Sequence, residues 1–592
     1  MMLAEQLTVA QSIFNNRYDI NKDAEAFANV IFYNNNFILT GRSFDSMFYY
    51  TPASSKAKIS LIKTDINGNK LFNKKYGKSF NDYGSILDDC LSSSNYFYGV
   101  GSYTDSVYKD HQYLFKFNEQ GDSLLLVHYF ENDTTIETYA GGCKITRDSN
   151  LILSGVVDSS YYNQFSQMYL MKTDTLGNIL WWKTYGGTQY ETCTNMDTTS
   201  DGGFILGGWT TSFGGTDQDP YIVKTDSNGT FQWDKTINAN SFNDWPAVVL
   251  STQDGGILAV TTEVQKQDAN YKYTKTFFNK YDISGNLLWR KNVGDTLLQP
   301  PVFAVKEAPN GDIVAVGTSA YYNHIFKINA NGDSLLFKQI YRTEDCTTMQ
   351  QYAFDIALID SGGYAIAGFV IPDAPNINNT QDAWLSTYDS LGCQLPDSIY
   401  NLNTQINITG QDTIIELTWD YDLSLTNPNL VYMVLRYNKD VYAWDTPWEY
   451  CQSVLTTNDF CYLTTKSFTD TVHCFTERKY RVYAVDTLNQ LTSCYSNEIN
   501  VDILTNISEL EKNKDSEILV YPNPTCDNIV VARLTNFVGG TIKIINLMGQ
   551  VVFSQSIQNH QMSFNLSEYS KGIYLVKISS DKQQIIKKIV LE

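Results

Sequence analysis

His111, His128, His324, His473 and His560 fall singly along the chain, and none forms the His-Glu-x-x-His pair that holds zinc on a helix. No Gly-x-Ser-x-Gly elbow or Gly-x-x-x-x-Gly-Lys phosphate loop occurs. Gly99-Val100-Gly101 lacks a third glycine and a following helix, so it reads as a strand end. The ten cysteines include no Cys-x-x-Cys pair, which argues against a zinc ribbon. Cys451, Cys461, Cys474 and Cys494 cluster late in the chain, where three pairings are open to them in an exported protein. Cys90, Cys143, Cys193 and Cys346 lie in apolar segments that suit small buried thiols, and Cys393 and Cys526 stay unassigned.

Oxygen ligands are the next candidates. Asp65-x-Asn67-Gly68-Asn69 clusters hard donors, but it lacks a downstream bidentate carboxylate, and sister copies carry Thr175-Leu176 and Ile283-Ser284 in the same slots. It reads as a hairpin turn, and neither a metal nor a cofactor is expected. The 64 acids leave room for a carboxylate pair of the kind that cleaves glycosides, although pairing across strands is invisible in sequence.

These residues sit on a repeat. Lys-x-Asp-x-x-Gly-Asn occurs at Lys63 to Asn69, Lys172 to Asn178 and Lys280 to Asn286, with weaker copies ending at Gly121, Gly229, Gly332 and Gly392. The seven turn glycines are spaced 53, 56, 52, 56, 47 and 60 residues apart, near the period of propeller blades. Each unit reads as four short strands of β-branched and aromatic residues, separated by Asp-Gly-Gly and Asp-x-x-Gly turns. The seventh unit stops after its third strand, at Cys393-Gln394-Leu395-Pro396. Near the start, Ile13 to Tyr18 resembles the fourth strand Leu71 to Tyr76, so the N-terminal segment is expected to complete the last blade and remove an open edge. The expectation is a seven-bladed β-propeller over residues 1–394, of the kind common in secreted bacterial proteins.

In such a ring, the loops joining second to third strands share one face. Here they carry Tyr49 and Tyr50, Tyr108, Tyr161 and Tyr162, Tyr273, and Tyr321 and Tyr322. Rings on a rigid scaffold stack on sugars or anchor protein contacts, and they also pack extended hairpins. They form the candidate ligand face.

Net charge is −21 with pI near 4.7, which repels phosphate backbones and excludes nucleic acid as a partner. No apolar run approaches the roughly 20 residues of a spanning helix, so the chain reads as not membrane-spanning. Hydrophobic residues at 43% with only 18% charged exclude disorder as the main state.

Residues 395–505 lose the repeat. The runs Ile414 to Trp419, Tyr432 to Tyr437 and Lys479 to Val485 alternate as sandwich strands do, and through Trp419 and the Tyr480 to Val485 strand they resemble a fibronectin type III module. A polar linker over 506–515 precedes residues 516–592. There Pro522-Asn523-Pro524, the Thr541 to Gln550 run with Gly549, and Gly572-Ile573-Tyr574 follow in order. This resembles the type A C-terminal sorting domain of the type IX secretion system, a small β-sandwich carried by cargo of Bacteroidetes-type bacteria. The resemblance implies docking to the type IX machinery, removal by a sortase-like peptidase, and a secreted or outer-surface location. This segment has seven Lys or Arg against five acids, so the acidity of the chain lies before it. Met1 to Gln11 is short for a secretory signal and holds Glu5 where an apolar core belongs, so the expected N-terminal signal peptide is absent or truncated.

The sequence thus describes an all-β chain and carries three functional readings. The first is a secreted or surface binding protein whose propeller engages glycan or protein. The others are a propeller enzyme acting on extracellular polysaccharide, as hydrolase or lyase, and a structural or adhesive surface protein without a discrete pocket.

Overall fold

The computed structural model describes residues 13–591 except 19–24, 45–56, 78–81, 87–95, 106–108, 132, 134, 159–164, 214–216, 238–241, 268–271, 295–298, 319–322, 341–349, 372–381, 396–399, 410–411, 422–429, 439–442, 446–462, 464–465, 473–477, 487–490, 494–495, 502–517, 522–527, 533, 535–536, 548 and 581–583. Among the described residues the fold is all-β, without α-helix. Residues 15–388 build seven four-stranded antiparallel sheets, which we number 1 to 7 by their first strands: Glu25–Tyr33, Asp82–Ile86, Glu137–Ile145, Glu191–Thr198, Val248–Ser251, Val302–Glu307 and Gln350–Leu358. In sheets 1 to 6 four successive strands pair in order. Sheet 7 has three successive strands, and its fourth is Asn15–Tyr18, paired to Asp382–Tyr388 with Asn15 opposite Ser386 and Tyr18 opposite Ala383.

The repeated phrase has a mechanical explanation. The Asp174 carboxylate accepts the Leu176 and Asn178 backbone N–H groups at 2.9 Å each and the Asn178 side-chain amide at 2.8 Å, while Gly177 takes φ +83°. Only a residue without Cβ adopts that angle cheaply. Asp65 and Asp282 repeat the pattern, so these carboxylates are engaged by their own turns. In sheets 3 to 6 the lysine that opens the phrase lies on the third strand and pairs with the acid of the turn between the first two strands. Lys172 meets Asp148 at 2.7 Å, Lys224 meets Asp201 at 2.9 Å, Lys280 meets Asp254 at 2.7 Å and Lys327 meets Asp312 at 3.3 Å. Two turns of one sheet are thereby locked together.

Sheets are tied to their successors through the same turns. Tyr185, which ends the fourth strand of sheet 3, donates its hydroxyl to the Gly229 carbonyl of sheet 4 at 2.6 Å, and Tyr76 of sheet 1 donates to Gly121 of sheet 2. Tyr18 makes the equivalent bond to Gly68 of sheet 1 at 2.8 Å. Sheets 7 and 1 also share a core in which Phe14, Tyr18, Phe27 and Val30 pack with Ala357, Ile359, Ala365 and Leu385. Arg17 pairs with Asp382 at 3.0 Å. Lys338 of sheet 6 is buried and donates to the Gly392 carbonyl, with the Ser493 carbonyl at 3.5 Å, so sheet 7 and the following module meet at one ammonium.

Residues 400–501 form two sheets around Trp419, Tyr421, Tyr432, Tyr480 and Val482. Residues 519–591 form two more, of three and four strands, around Val531, Ile542, Ile544, Phe564, Val576 and Ile578. Cys143 and Cys193 are buried thiols outside any disulfide, as their apolar segments predict, and burial pushes the Cys193 thiol up to about 12. Cys393, unassigned from sequence, is disulfide-bonded. Cys90, Cys346, Cys451, Cys461, Cys474, Cys494 and Cys526 lie outside the described residues.

Candidate functional site at the convergence of the first strands

Six of the seven first strands skip one residue in their register with the second strand. The breaks fall between Phe27 and Asn29, Tyr83 and Ser85, Ala140 and Gly142, Cys193 and Asn195, Val302 and Ala304, and Ala353 and Asp355. A bulge re-aims the extra side chain away from the ladder. The extra residues are Ala28, Gly84, Gly141, Thr194, Phe303 and Phe354, and all but Gly84 line a cavity of about 400 Å3 formed by first strands of six sheets.

This cavity is lopsided. Gly141 and Thr194, on sheets 3 and 4, leave room on one side, and Ala28 lies next to Phe354. On the other, the Phe303 and Phe354 rings stand edge-on to each other, with centroids 5.6 Å apart at 65°. Phe303 is 39% exposed and lines the cavity, so part of its apolar face is open to it. Phe369 backs Phe354 at 5.5 Å and packs against Tyr352 at 4.7 Å, both tilted, so the ring pair rests on further aromatic rings.

Charged groups share the lining. Asp355 Oδ2 accepts the Val30 N–H at 2.9 Å and lies 3.3 Å from the Asn29 amide; Asp197 accepts the Thr198 and Ser251 N–H groups at 2.8 Å each. Both acids fasten one first strand to the next. Asn195 does the same, exchanging two hydrogen bonds with Val249 at 2.8 and 3.0 Å. Arg42, Lys144 and Lys306 complete the set, giving three cations to two acids in a chain of net charge −21. Aromatic rings flanked by such groups can stack on the apolar face of a sugar while cations and amides engage its polar substituents.

Two titratable clusters lie elsewhere. Glu137 and Asp158 face each other in register at the end of sheet 3, with the Lys109 ammonium on Glu137 and the Tyr139 hydroxyl 3.3 Å from it. Burial, then the Glu137 charge, raises the Asp158 carboxyl above its usual range. Between sheets 4 and 5, Glu263 is buried and paired with Arg290 at 2.7 Å. Asp219 and Asp244 are buried beside it; burial first, then neighbouring acids, pushes them up to about 6 and about 7.

The histidines are less scattered than their spacing indicates. His111 and His128 flank the Tyr103 ring, with centroids 5.6 and 4.2 Å away, and His111 Nε2 lies 3.2 Å from Asp105. His324 is stacked on Phe337 at 4.8 Å, and burial pushes it down to about 3. Among the described residues no group of three or more His, Cys, Asp and Glu could hold a metal ion.

Of the tyrosines expected on a ligand face, Tyr49, Tyr50, Tyr108, Tyr161, Tyr162, Tyr321 and Tyr322 lie outside the described residues. Tyr273 is described and is buried, near the start of the strand Lys272–Tyr281. Phe303 and Phe354 escaped notice because a bulge has no residue signature. Aligning the repeats would have shown them standing where other units carry Ala28, Gly141 and Thr194. Of the sorting-motif residues, Pro522, Asn523 and Pro524 lie outside the described residues. Gly549 turns at φ +81°, Gly572 opens a strand, and Tyr574 is buried with its hydroxyl donating to the Ser570 carbonyl at 2.6 Å.

Residues 519–592 match the family model described as a secretion system C-terminal sorting domain. This sorting domain indicates a type IX signal and a secreted or cell-surface protein. No helix among the described residues is long and apolar enough to cross a membrane. No curated protein matches the chain. Similar solved structures include virginiamycin B lyase from Staphylococcus aureus, at 10% identity over 63% of this chain and 99% of that one, TM-score 0.37. Polysaccharide lyase Uly1 is 9% identical over 61% and 90%, TM-score 0.38. The β-propeller domain of the Trilobed protease from Pyrococcus furiosus is 7% identical over 61% and 95%, TM-score 0.33.

Proposed function

We propose that this chain is type IX cargo of a Bacteroidetes-type bacterium whose residues 1–394 form a seven-bladed propeller closed by the N-terminal strand, and whose central cavity binds an extracellular glycan. The fibronectin type III-like module (395–505) and the linker (506–515) then hold the binder away from the sorting domain (516–592), which a sortase-like peptidase removes. The observation that carries the binding reading is the partly exposed Phe303 ring, set beside Phe354 in a cavity that also presents Arg42, Lys144 and Lys306. A volume of about 400 Å3 is at the lower end for small-molecule sites and suits one or two sugar rings.

The test is a glycan and surface-protein binding screen on the full chain, repeated with Phe303→Ala. Binding of a glycan by the wild type with at least a tenfold loss in the variant supports the reading; no glycan bound, or equal binding by both, overturns it. The facing Glu137 and Asp158, with one carboxyl held protonated towards higher pH, favour polysaccharide cleavage as the second reading. Turnover of the bound glycan that disappears in Glu137→Gln would replace the first reading with that one.

A further inference from the structure

The four-stranded sheet of the sorting domain has an outer face unlike that of an ordinary sandwich. Its strands are Val551–Ser556, Thr541–Asn546, Gly572–Ser579 and Gln584–Leu591, in that order across the sheet. Ile542, Ile544, Val576 and Ile578 turn inward to the core. Alternation therefore sends Lys543, Ile545, Leu575 and Lys577 outward. The register sets Lys543 directly opposite Lys577, and Leu575 opposite Lys588. Ile586, beside Lys577, is 51% exposed, and Val551, opposite Ile545, is 50% exposed.

An antiparallel sheet with one solvated face ordinarily alternates apolar inside with polar outside. Here the outer face is half aliphatic. Its charges are of one sign: Lys543, Lys577 and Lys588 lie on it and the four strands hold no acid, in a chain with 64 acids and a net charge of −21. Like charges placed directly opposite destabilise a sheet, so Lys543 and Lys577 work against the domain's own stability. An apolar centre ringed by one sign of charge is the pattern of a surface that meets a complementary partner.

We infer that this face docks the sorting domain onto an acidic protein surface with an apolar ridge, belonging to the export machinery. This rests on the sorting reading above. The lysines steer and orient the encounter, and Ile545, Leu575, Ile586 and Val551 become buried on contact.

The experiment follows the full chain in a native type IX host, scoring exported against retained protein for wild type, Lys543→Arg/Lys577→Arg, Lys577→Glu/Lys588→Glu and a deletion of residues 516–592. The arginine pair keeps the charge and should be exported as wild type. The glutamate pair should be retained at least tenfold more, while its purified melting temperature holds or rises, because the carboxylate introduced by Lys577→Glu faces Lys543. Normal export of the glutamate pair overturns the docking face. Export of the glutamate pair combined with loss of a wild-type dimer on a sizing column assigns the face to a second copy and also overturns it. Normal export of the deletion overturns the sorting reading itself, a separate outcome.

Discussion

The Tyr18 hydroxyl donates to the Gly68 carbonyl at 2.8 Å, the bond Tyr185 makes to Gly229 at 2.6 Å. Tyr185 ends a fourth strand and reaches the turn of the next sheet. Tyr18 therefore treats sheet 1 as the sheet that follows sheet 7, across a gap of 370 residues in the chain between Tyr18 and Tyr388. Tyr18→Phe should cost about 1 kcal/mol, the net worth of such a bond, and Tyr185→Phe a similar amount. Removing residues 1–18 should cost several times more, since the Phe14 and Tyr18 packing and the Arg17 to Asp382 pair go with it. Thermal melts decide this; a truncation as stable as the full chain would show that the strand is dispensable.

Lys224 is wholly buried, whereas its partner Asp201 is about a third exposed. Taking the acid away leaves a buried ammonium with only the neutral Thr225 carbonyl and Gln232 side chain as acceptors, and taking the lysine away leaves a carboxylate that water can reach. Asp201→Ala should therefore cost about 3 kcal/mol and Lys224→Met clearly less, with the double variant close to Lys224→Met. Equal costs for the two single variants would contradict this account.

Asp219 and Asp244 bind protons more tightly in the fold than in the unfolded chain, where carboxylates titrate near 4. The folded state then holds the extra protons between about pH 4 and pH 7, so stability falls as pH rises through that window. Denaturant midpoints should decline from pH 5 to pH 7, and Asp244→Asn should flatten the decline. An unchanged slope in that variant would place the titration elsewhere.

Cys143 and Cys193 should resist alkylation in the native protein and react once it is unfolded without reductant, because both are buried thiols. Cys393 should label only after reduction. Peptide mapping reads all three, and labelling of Cys393 in the unfolded, unreduced chain would show that it is free.

Ala28 lines the cavity next to Phe354, its neighbours Asn29 and Val30 bonding to Asp355. Ala28→Phe should fill the space beside the ring pair and abolish glycan binding while the melting temperature moves by only a few degrees. Retained binding would place the ligand outside the cavity.

The repeat was legible because its turns are chemically explicit: Asp174, Gly177 and Asn178 are there for hydrogen bonds and a backbone angle that few residues supply. Ile13 to Tyr18 betrayed its place through likeness to Leu71 to Tyr76, since fourth strands face the same neighbours. The cavity was not legible. Its shape depends on one skipped residue per first strand, a property of register, and on side chains brought together from six sheets. Glu263, Asp219 and Asp244, with Arg290, were hidden for a similar reason, because a carboxylate in a strand reads as exposed until its neighbours are known.

The pairing of Asn15–Tyr18 with Asp382–Tyr388 also sets an order in time. The first strand to leave the ribosome is among the last to find its partner, because nearly 400 residues must be made before its ladder exists. Until then sheet 1 lacks its predecessor and the Gly68 turn lacks its tyrosine. Closing so long a loop is slow more than it is unfavourable, and waiting edges invite other chains. A protein assembled this way is best kept apart from other chains until its whole length has arrived.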